Sequence, residues 1–356
     1  MPVTIKDIAR EANVSHSTVS RALHGSALIS TATSERIRQA ALELGYLPSA
    51  AARTLKTNRS QALGVIIRNV DDPFFGEILQ GIEEVAQAKG YSLFMAASQP
   101  GTERDQALVQ AMVERRVDGI IICSTPVSPD QSRQLFQFGV PIVVVNNQAA
   151  EEYRYSIYHD DIDGSRQVTR HLICLGHRKI AYLGNAASGR STIERLAGFR
   201  EELQAARISL PSEYIYQIPG GGPMEGLAGI DHFLRLPQPP TALFCYNDMM
   251  AIGVLKGMHQ AGLRVPEDMS VAGFDNILFS AYTNPPLTTF DQPKHFIGAE
   301  AARLVLGLLN SEPDGKASGE PEIRRLPGHL LVRNSTACPS HIQGEEYPND
   351  LIQSEP

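Results

Sequence analysis

The sequence predicts an all-α N-terminal head joined to an α/β body of two parallel-sheet lobes. Three observations lead there. Thr4–Leu23 reads as two short helices with a tight turn between them. From Ala62 onward, short apolar runs alternate with amphipathic stretches, the pattern of parallel strands covered by helices. That alternation comes in two series, so two sheets are expected.

In the head, Thr4 caps a first helix with Asp7 as the reciprocal acid three residues on. Ile8, Ala9 and Ala12 recur at helical spacing, and Asn13-Val14 breaks the run. Ser15 is a second cap, before a helix His16–Leu23 that buries Val19, Ala22 and Leu23. This is the spacing of a helix-turn-helix, whose second helix lies in the major groove and presents its N-terminal residues to base edges. His16, Ser17 and Thr18 are those residues, with Ser20 and Arg21 one turn on and Thr4 and Ser15 at the caps. A plain helical hairpin would show the same spacing, but the chain continues in kind. Ser30 or Ser34 caps a third helix whose stripe is Ile37, Ala41 and Leu44, and Gly45 and Pro48 stop it. The basic segment Ser49–Lys56 is a good helix sequence, yet too short to be stable alone in water.

Composition separates head from body. Residues 1–60 hold eight Lys/Arg and four Asp/Glu, net +4, whereas the rest is net −11 of the total −7. A basic head on an acidic body confines phosphate contact to the head. Cys123, Cys174, Cys245 and Cys338 form no CxxC pair; Cys123 and Cys245 sit in apolar runs and are expected to be buried thiols. No signal-peptide pattern precedes Thr4, and no apolar run approaches the roughly 18 residues of a membrane span, so a cytoplasmic protein is expected.

The body follows in order. ALGVII from Ala62 is a strand, a helix runs from Phe74 to Gly90, and YSLFMAA is a strand. Helix 103–116, strand DGIIIC, helix 129–139 and strand PIVVVN complete the first series. The second opens on a weak strand Ser156–Tyr158 and helix 163–176. Strand KIAYLG, helix 192–206, strand YIYQI and helix 224–236 come next. Strand ALFCYN, helix 248–262 and strand SVAGFD close it. Residues 311–321 read as a polar loop, and 338–356 as a solvated, disordered tail. That tail has no leucine heptad, so no tetramer is expected.

In open parallel sheets, ligands bind beyond the carboxyl ends of the strands. The polar residues there are Asn69, Ser98, Ser124, Asn146, Asn247 and Asp275, each of which is also a natural turn or cap residue. Asp248 reads as a cap. No GxGxxG, Walker spacing, Ser/His/Asp set or metal-ligand cluster is present, so no enzyme, cofactor or metal is expected.

The stretches TIKDIAREANVSHSTVSRALHG, ERIRQAALELGYLPSAAARTLKT, DPFFGEILQGIEEVA, GHRKIAYLG, RLAGF, YNDMMAIG, SVAGFDN and VRNST together resemble the lactose repressor/galactose repressor family of bacterial transcription regulators. The resemblance spans residues 3–337. It implies a periplasmic-binding-protein-like body with an effector in the cleft between lobes. It divides the chain into 1–48 (DNA-binding head), 49–61 (hinge helix and linker) and 62–337. Within the last, lobe one takes about 62–159 and 292–321, and lobe two about 160–291 and 322–337. It implies a homodimer on a palindromic operator, expected to pair through helices of the first lobe. In the hinge it implies DNA contacts at Ser49, Ala52 and Leu55, with Leu55 as the wedge in the minor groove.

Carried over residue by residue, it places Arg195, Asn247 and Asp275 in the cleft, with Gln292, Asn146 and Asp160 beside them. Phe74 and Phe75 stand at the entrance of the first lobe's helix, where an aromatic either stacks on a ligand face or fills the core. A guanidinium, an amide and a carboxylate suit the vicinal hydroxyls of a sugar or sugar derivative. Arg68 departs from the family, which often has Pro there; pairing with Asp71 or Asp72 is the favoured reading over a ligand anion. Two rivals remain: a protein corepressor in place of a small molecule, and a solute-binding protein, which would have no use for the head.

Overall fold

The computed structural model describes residues 3–23, 26–46, 59–98, 102–124, 127, 137, 139–149, 153–310 and 322–339. The helix expected at 129–139 falls almost wholly outside them. So do Ser49, Ala52 and Leu55, the loop 311–321 and the tail from 340. The chain divides into two compact units, Met1–Ser60 and Gln61–Pro356.

The head packs α1 (Ile5–Glu11), α2 (His16–Leu23) and α3 (Thr31–Glu43) around Ile8, Val19, Ala22 and Ile37, all completely buried. Ser15 Oγ accepts the Thr18 N–H (3.1 Å), and Ser30 Oγ accepts the Thr33 N–H (3.3 Å), so each caps the helix that follows it. At α1 the Asp7 carboxylate accepts from both the Thr4 N–H (2.9 Å) and the Thr4 hydroxyl (2.7 Å).

The body holds two six-stranded sheets. In chain order the strands are β1 (Ala62–Ile67), β2 (Ser92–Ala97), β3 (Gly119–Cys123), β4 (Ile142–Val145), β5 (Tyr155–His159) and β6 (Ile180–Asn185). They continue with β7 (Ile215–Ile218), β8 (Ala242–Cys245), β9 (Ser270–Asp275), β10 (Thr288–Asp291), β11 (Glu322–Leu326) and β12 (His329–Leu331). The first sheet runs β11-β5-β4-β3-β1-β2, all parallel; the second runs β12-β10-β9-β8-β6-β7, parallel except for β12. Strands β1, β3, β4, β6, β8 and β9 are buried at every residue, which is why they read as unbroken apolar runs.

The weak strand β5 lies inside the first sheet between β4 and β11, within the bounds that the resemblance gives lobe one. Two placements differ from the sequence reading. Strand β11 was expected in the second lobe with β12; it pairs in parallel with β5, Glu322 opposite Tyr155, and belongs to the first. The chain therefore returns to lobe two only between Leu326 and His329. Strand β10 was not foreseen. Lobe to lobe, the chain crosses after β5, after β10 and after β11.

Helices α4 (Phe74–Ala88), α5 (Thr102–Glu114) and α10 (Lys294–Asn310) cover the first sheet. Helices α6 (Asp161–Cys174), α7 (Arg190–Ala205), α8 (Pro223–Leu234) and α9 (Asp248–Gln260) cover the second. Three helix pairs meet through glycine. A Cβ on Gly81 of α4 would lie 2.0 Å from the His295 carbonyl of α10, and one on Gly298 would lie 2.0 Å from that of Ile78. Gly226 of α8 and Gly253 of α9 face Met250 O (1.9 Å) and Pro223 O (2.0 Å) in the same way, and Gly198 of α7 faces Ile162 O (2.4 Å). Cys123 and Cys245 are buried, and Cys174 and Cys338 are exposed.

Candidate DNA face and inter-lobe cleft

On α2 the buried residues Val19 and Ala22 point inward, which leaves the other side to solvent. Ser15, His16, Ser17 and Arg21 are exposed there, Thr18 and Ser20 are half-buried, and Thr4 is exposed at the start of α1. Ser15 Oγ lies 2.9 Å from Ser17 Oγ and 2.8 Å from Thr18 Oγ1, a hydroxyl cluster at the helix start. These side chains offer hydrogen bonds and one cation without contributing to the core.

In the body, a cleft of about 630 Å³ opens between the two sheets at their carboxyl ends. That is the size of a site for a small organic ligand. Phe74, Phe75, Asn146, Arg195, Asn247 and Asp275 all line it. Phe74 and Phe75 meet edge to face at the head of α4, their centroids 5.3 Å apart.

Arg195 is the centre of the cleft. It is 4% exposed, and its guanidinium lies 3.9 Å from the Phe274 ring centroid and 4.5 Å from that of Tyr246. Nε donates to Asp161 Oδ1 (2.5 Å), Nη1 donates to Tyr246 O (2.5 Å), and Nη1 stands 3.5 Å from Asp275 Oδ1. Burial opposes the charge, but Asp161, Tyr246 and Asp275 outweigh it and keep Arg195 protonated. Burial likewise works against an ionised Asp161, and Arg195 and His159 overcome it, holding this carboxyl well below the usual range. Asp275 goes the other way: burial pushes its carboxyl well up, and Arg195 only partly counters it.

Asp161 is the residue the sequence reading missed. Asp160 was expected in the cleft; instead it caps α6, accepting the Asp163 N–H (2.9 Å), and is not among the lining residues. The neighbouring carboxyl, at the first helical position, turns inward. It takes Arg195 on one side and His159 Nε2 (2.8 Å) on the other. Gln292 also stands back from the cleft. It is 1% exposed and donates Nε2–H to Asp275 Oδ1 (2.6 Å), so it orients Asp275 from behind. Asp275 itself has φ +109°, a conformation that side chains rarely adopt and that aims its carboxyl from the end of β9.

Asn247 reaches the cleft but spends its amide locally: Oδ1 accepts the Met250 N–H (2.9 Å) and Nδ2 donates to Gly221 O (3.0 Å). Asn146 differs. Its Oδ1 accepts the His159 N–H (3.3 Å) and lies 3.1 Å from His159 Nδ1, while its buried Nδ2 has no hydrogen-bond partner among the described residues. A buried donor without an acceptor costs about 1–3 kcal/mol, which a ligand oxygen would relieve. Arg68 does not pair with Asp71 or Asp72. Its Nη2 crosses to the Ala187 carbonyl of lobe two (2.9 Å).

Asp248 is not the cap of α9; Asn247 is. Asp248 accepts from the Thr289 hydroxyl (2.6 Å) and the Ile277 N–H (2.9 Å), tying the ends of β9 and β10 together. Burial raises its carboxyl to about 7, against those two hydrogen bonds, from an ordinary 3.8. Between these values the folded chain holds a proton that the unfolded chain has released. The stabilisation is complete below 3.8 and is lost as pH rises through about 7. The body's melting temperature is therefore expected to drop as pH rises from 3.8 to about 7 and to level off above that, and Asp248→Asn to flatten the drop. Thermal melts at a series of pH values decide it; an equal slope in both proteins would assign the proton elsewhere.

Comparison with known proteins gives two family matches. Residues 4–49 match "Bacterial regulatory proteins, lacI family", and residues 169–336 match "Periplasmic binding protein-like domain". The HTH-type transcriptional repressor CytR of Escherichia coli K12 is 34% identical over 334 residues, covering 94% of this chain and 96% of that protein. Among solved structures, the Lac repressor dimer bound to operator and the anti-inducer ONPF is similar at a TM-score of 0.83 and 29% identity. It covers 95% of this chain and 100% of that one. The complex of the transcriptional regulator CelR with cellobiose is similar at 0.69 and 28%, covering 94% and 99%.

Proposed function

From the premise that this chain belongs to the lacI family of bacterial regulatory proteins, we propose a repressor that binds a palindromic operator as a homodimer and answers to a sugar-like effector in the inter-lobe cleft. The exposed face of α2 carries this reading: His16, Ser17 and Arg21 leave the core to Val19 and Ala22 and are free to meet base edges. A half-site is too short to be specific alone, and two-fold pairing matches a palindrome. Apolar side chains left exposed at the edge strand β2 (Phe94, Met95) and around Leu278, Phe279 and Tyr282 suit a partner copy.

The sugar assignment rests on the donor of Asn146, the Arg195–Asp275 pair and the phenylalanines at the cleft mouth, which together suit a hydroxylated ring. The recessed Asn146 donor favours a small ligand over a protein corepressor. Ser49, Ala52 and Leu55 complete the proposal as the DNA contacts of the hinge. Such a regulator works in the cytoplasm, where operator DNA is.

Operator titrations test it. Binding to a selected palindrome is expected to involve two chains and to weaken steeply with salt, because phosphate contacts release counterions. Arg21→Ala is expected to cost about 1–3 kcal/mol on the matched site and less on random DNA, as a base contact would. A sugar that raises the melting temperature of the body is expected to shift operator affinity in the same protein. Salt-insensitive binding, or an Arg21→Ala protein as tight as wild type, would sink the assignment of this face.

A further inference from the structure

The first turn of α7 is completed from the other lobe. Gly189 precedes this helix at φ +73° and has no side chain to offer its first amides. Gln148, three residues beyond β4 in lobe one, meets two of them. The Arg190 N–H donates to Gln148 O (3.1 Å) and the Ser191 N–H to Gln148 Oε1 (3.1 Å). The Gln148 amide in turn donates to Ser191 Oγ (3.0 Å) and to Asn146 O (2.9 Å). Both Gln148 and Ser191 are buried, and a Cβ on Gly189 would lie 2.5 Å from Gln148 O. The Gln148 loop is itself held, since Asn147 Oδ1 accepts the N–H groups of Val127 (2.8 Å) and Ala149 (3.1 Å).

We propose that Gln148 is the latch of the cleft, a helix cap supplied across the gap that exists only while the lobes are together. The first amides of a helix have no acceptor within it. With Gly189 at the cap position, parting the lobes would hand these two amides to water, and would leave the Gln148 amide only its bond to Asn146 O. Arg68 braces the same stretch of lobe two through Ala187 O. Arg195 lies five residues beyond Arg190 on the same helix, so the latch joins lobe closure to the placement of the central guanidinium. Gln148 is thus a positioning residue. Its regulatory meaning rests on the reading that an effector occupies this cleft; the latch itself does not.

Hydrogen–deuterium exchange on the full chain, without DNA or effector, tests it. In Gln148→Ala the Ser191 amide is expected to exchange about tenfold faster, the size of a lost cap, whereas the Arg190 amide keeps the main-chain acceptor. The rest of α7 and strand β6 are expected to stay as protected as in wild type. Gly189→Ala, which pushes Gln148 away from the opposite side, is expected to give the same local loss. Gln148→Glu keeps an acceptor at the Ser191 N–H and is expected to restore most of the protection. Unchanged exchange at Ser191 in Gln148→Ala would overturn the latch. So would a Gln148→Glu protein no better than alanine, or a loss that spreads through β6. Failure of the regulator reading would show separately, as a wild-type protein that binds no operator.

Discussion

Arg195→Ala is expected to destabilise the body by about 3–5 kcal/mol, because it leaves the buried Asp161 carboxylate without its cation. Asp161 loses the partner at 2.5 Å, and Asp275 loses the one at 3.5 Å. The effector response is expected to disappear with it. The stability defect has a pH signature. In the wild type, Asp161 is held below its ordinary value, so its contribution is present above that value and is lost as pH falls further. In the variant the same carboxyl must rise, which favours the folded state at low pH. The gap between the two proteins is therefore largest at neutral pH and narrows in acid. Asp161→Asn in the Arg195→Ala background should recover part of the loss, since it removes the stranded charge. Denaturant midpoints of wild type, Arg195→Ala and the double variant measure this. A single variant within about 1 kcal/mol of wild type would mean a solvated surface pair.

The second large effect lies where α8 meets α9, beside the cleft-lining Pro223 and Met249. Gly226→Ala would place a methyl 1.9 Å from the Met250 carbonyl, and Gly253→Ala would place one 2.0 Å from that of Pro223. Both obstacles are backbone, so neither can swing aside as a side chain would. Each substitution is expected to cost about 3 kcal/mol, the upper part of the range for overpacking, by prising α8 from α9. Gly307→Ala is the contrast. None of the described residues lies within 4 Å of a Cβ there, and a helix interior gains about 0.5–1 kcal/mol when glycine becomes alanine. Thermal melts of the three variants should therefore move in opposite directions. Equal tolerance at Gly226 and Gly307 would refute close packing of this pair.

These glycines were unremarked in the sequence, and the reason is physical: a close approach is a property of two helices, not of one. The interior strands were legible because a strand buried on both faces must be apolar throughout, as Ala62–Ile67 and Ile142–Val145 are. TTFD at β10 was not. Its threonines are wholly buried, yet they are satisfied by Asp248, Arg333 and Thr336, residues far away along the chain. Strand β11 alternates like an edge strand, and no local pattern says which sheet it joins. In the cleft, Asp275 was legible as a polar residue at a strand end, whereas Arg195, inside a helix, came only from the family resemblance. Asp160 misled because two adjacent aspartates differ only in which way the first turn of α6 points them.

The three crossings between the lobes have a mechanical meaning. Strands β5 and β11 leave the first sheet side by side, and β10 and β12 receive or release chain side by side in the second. Three neighbouring straps fasten the lobes along one short line, as a door is hung on its frame. Shear and separation would stretch covalent chain and are forbidden; swinging about that line only bends it. Glycine crossings stiffen the panels, so the motion left to the body is a single rotation. A ligand that gains from closure has one coordinate to act on, and whatever hangs from the far edge of a lobe travels farthest.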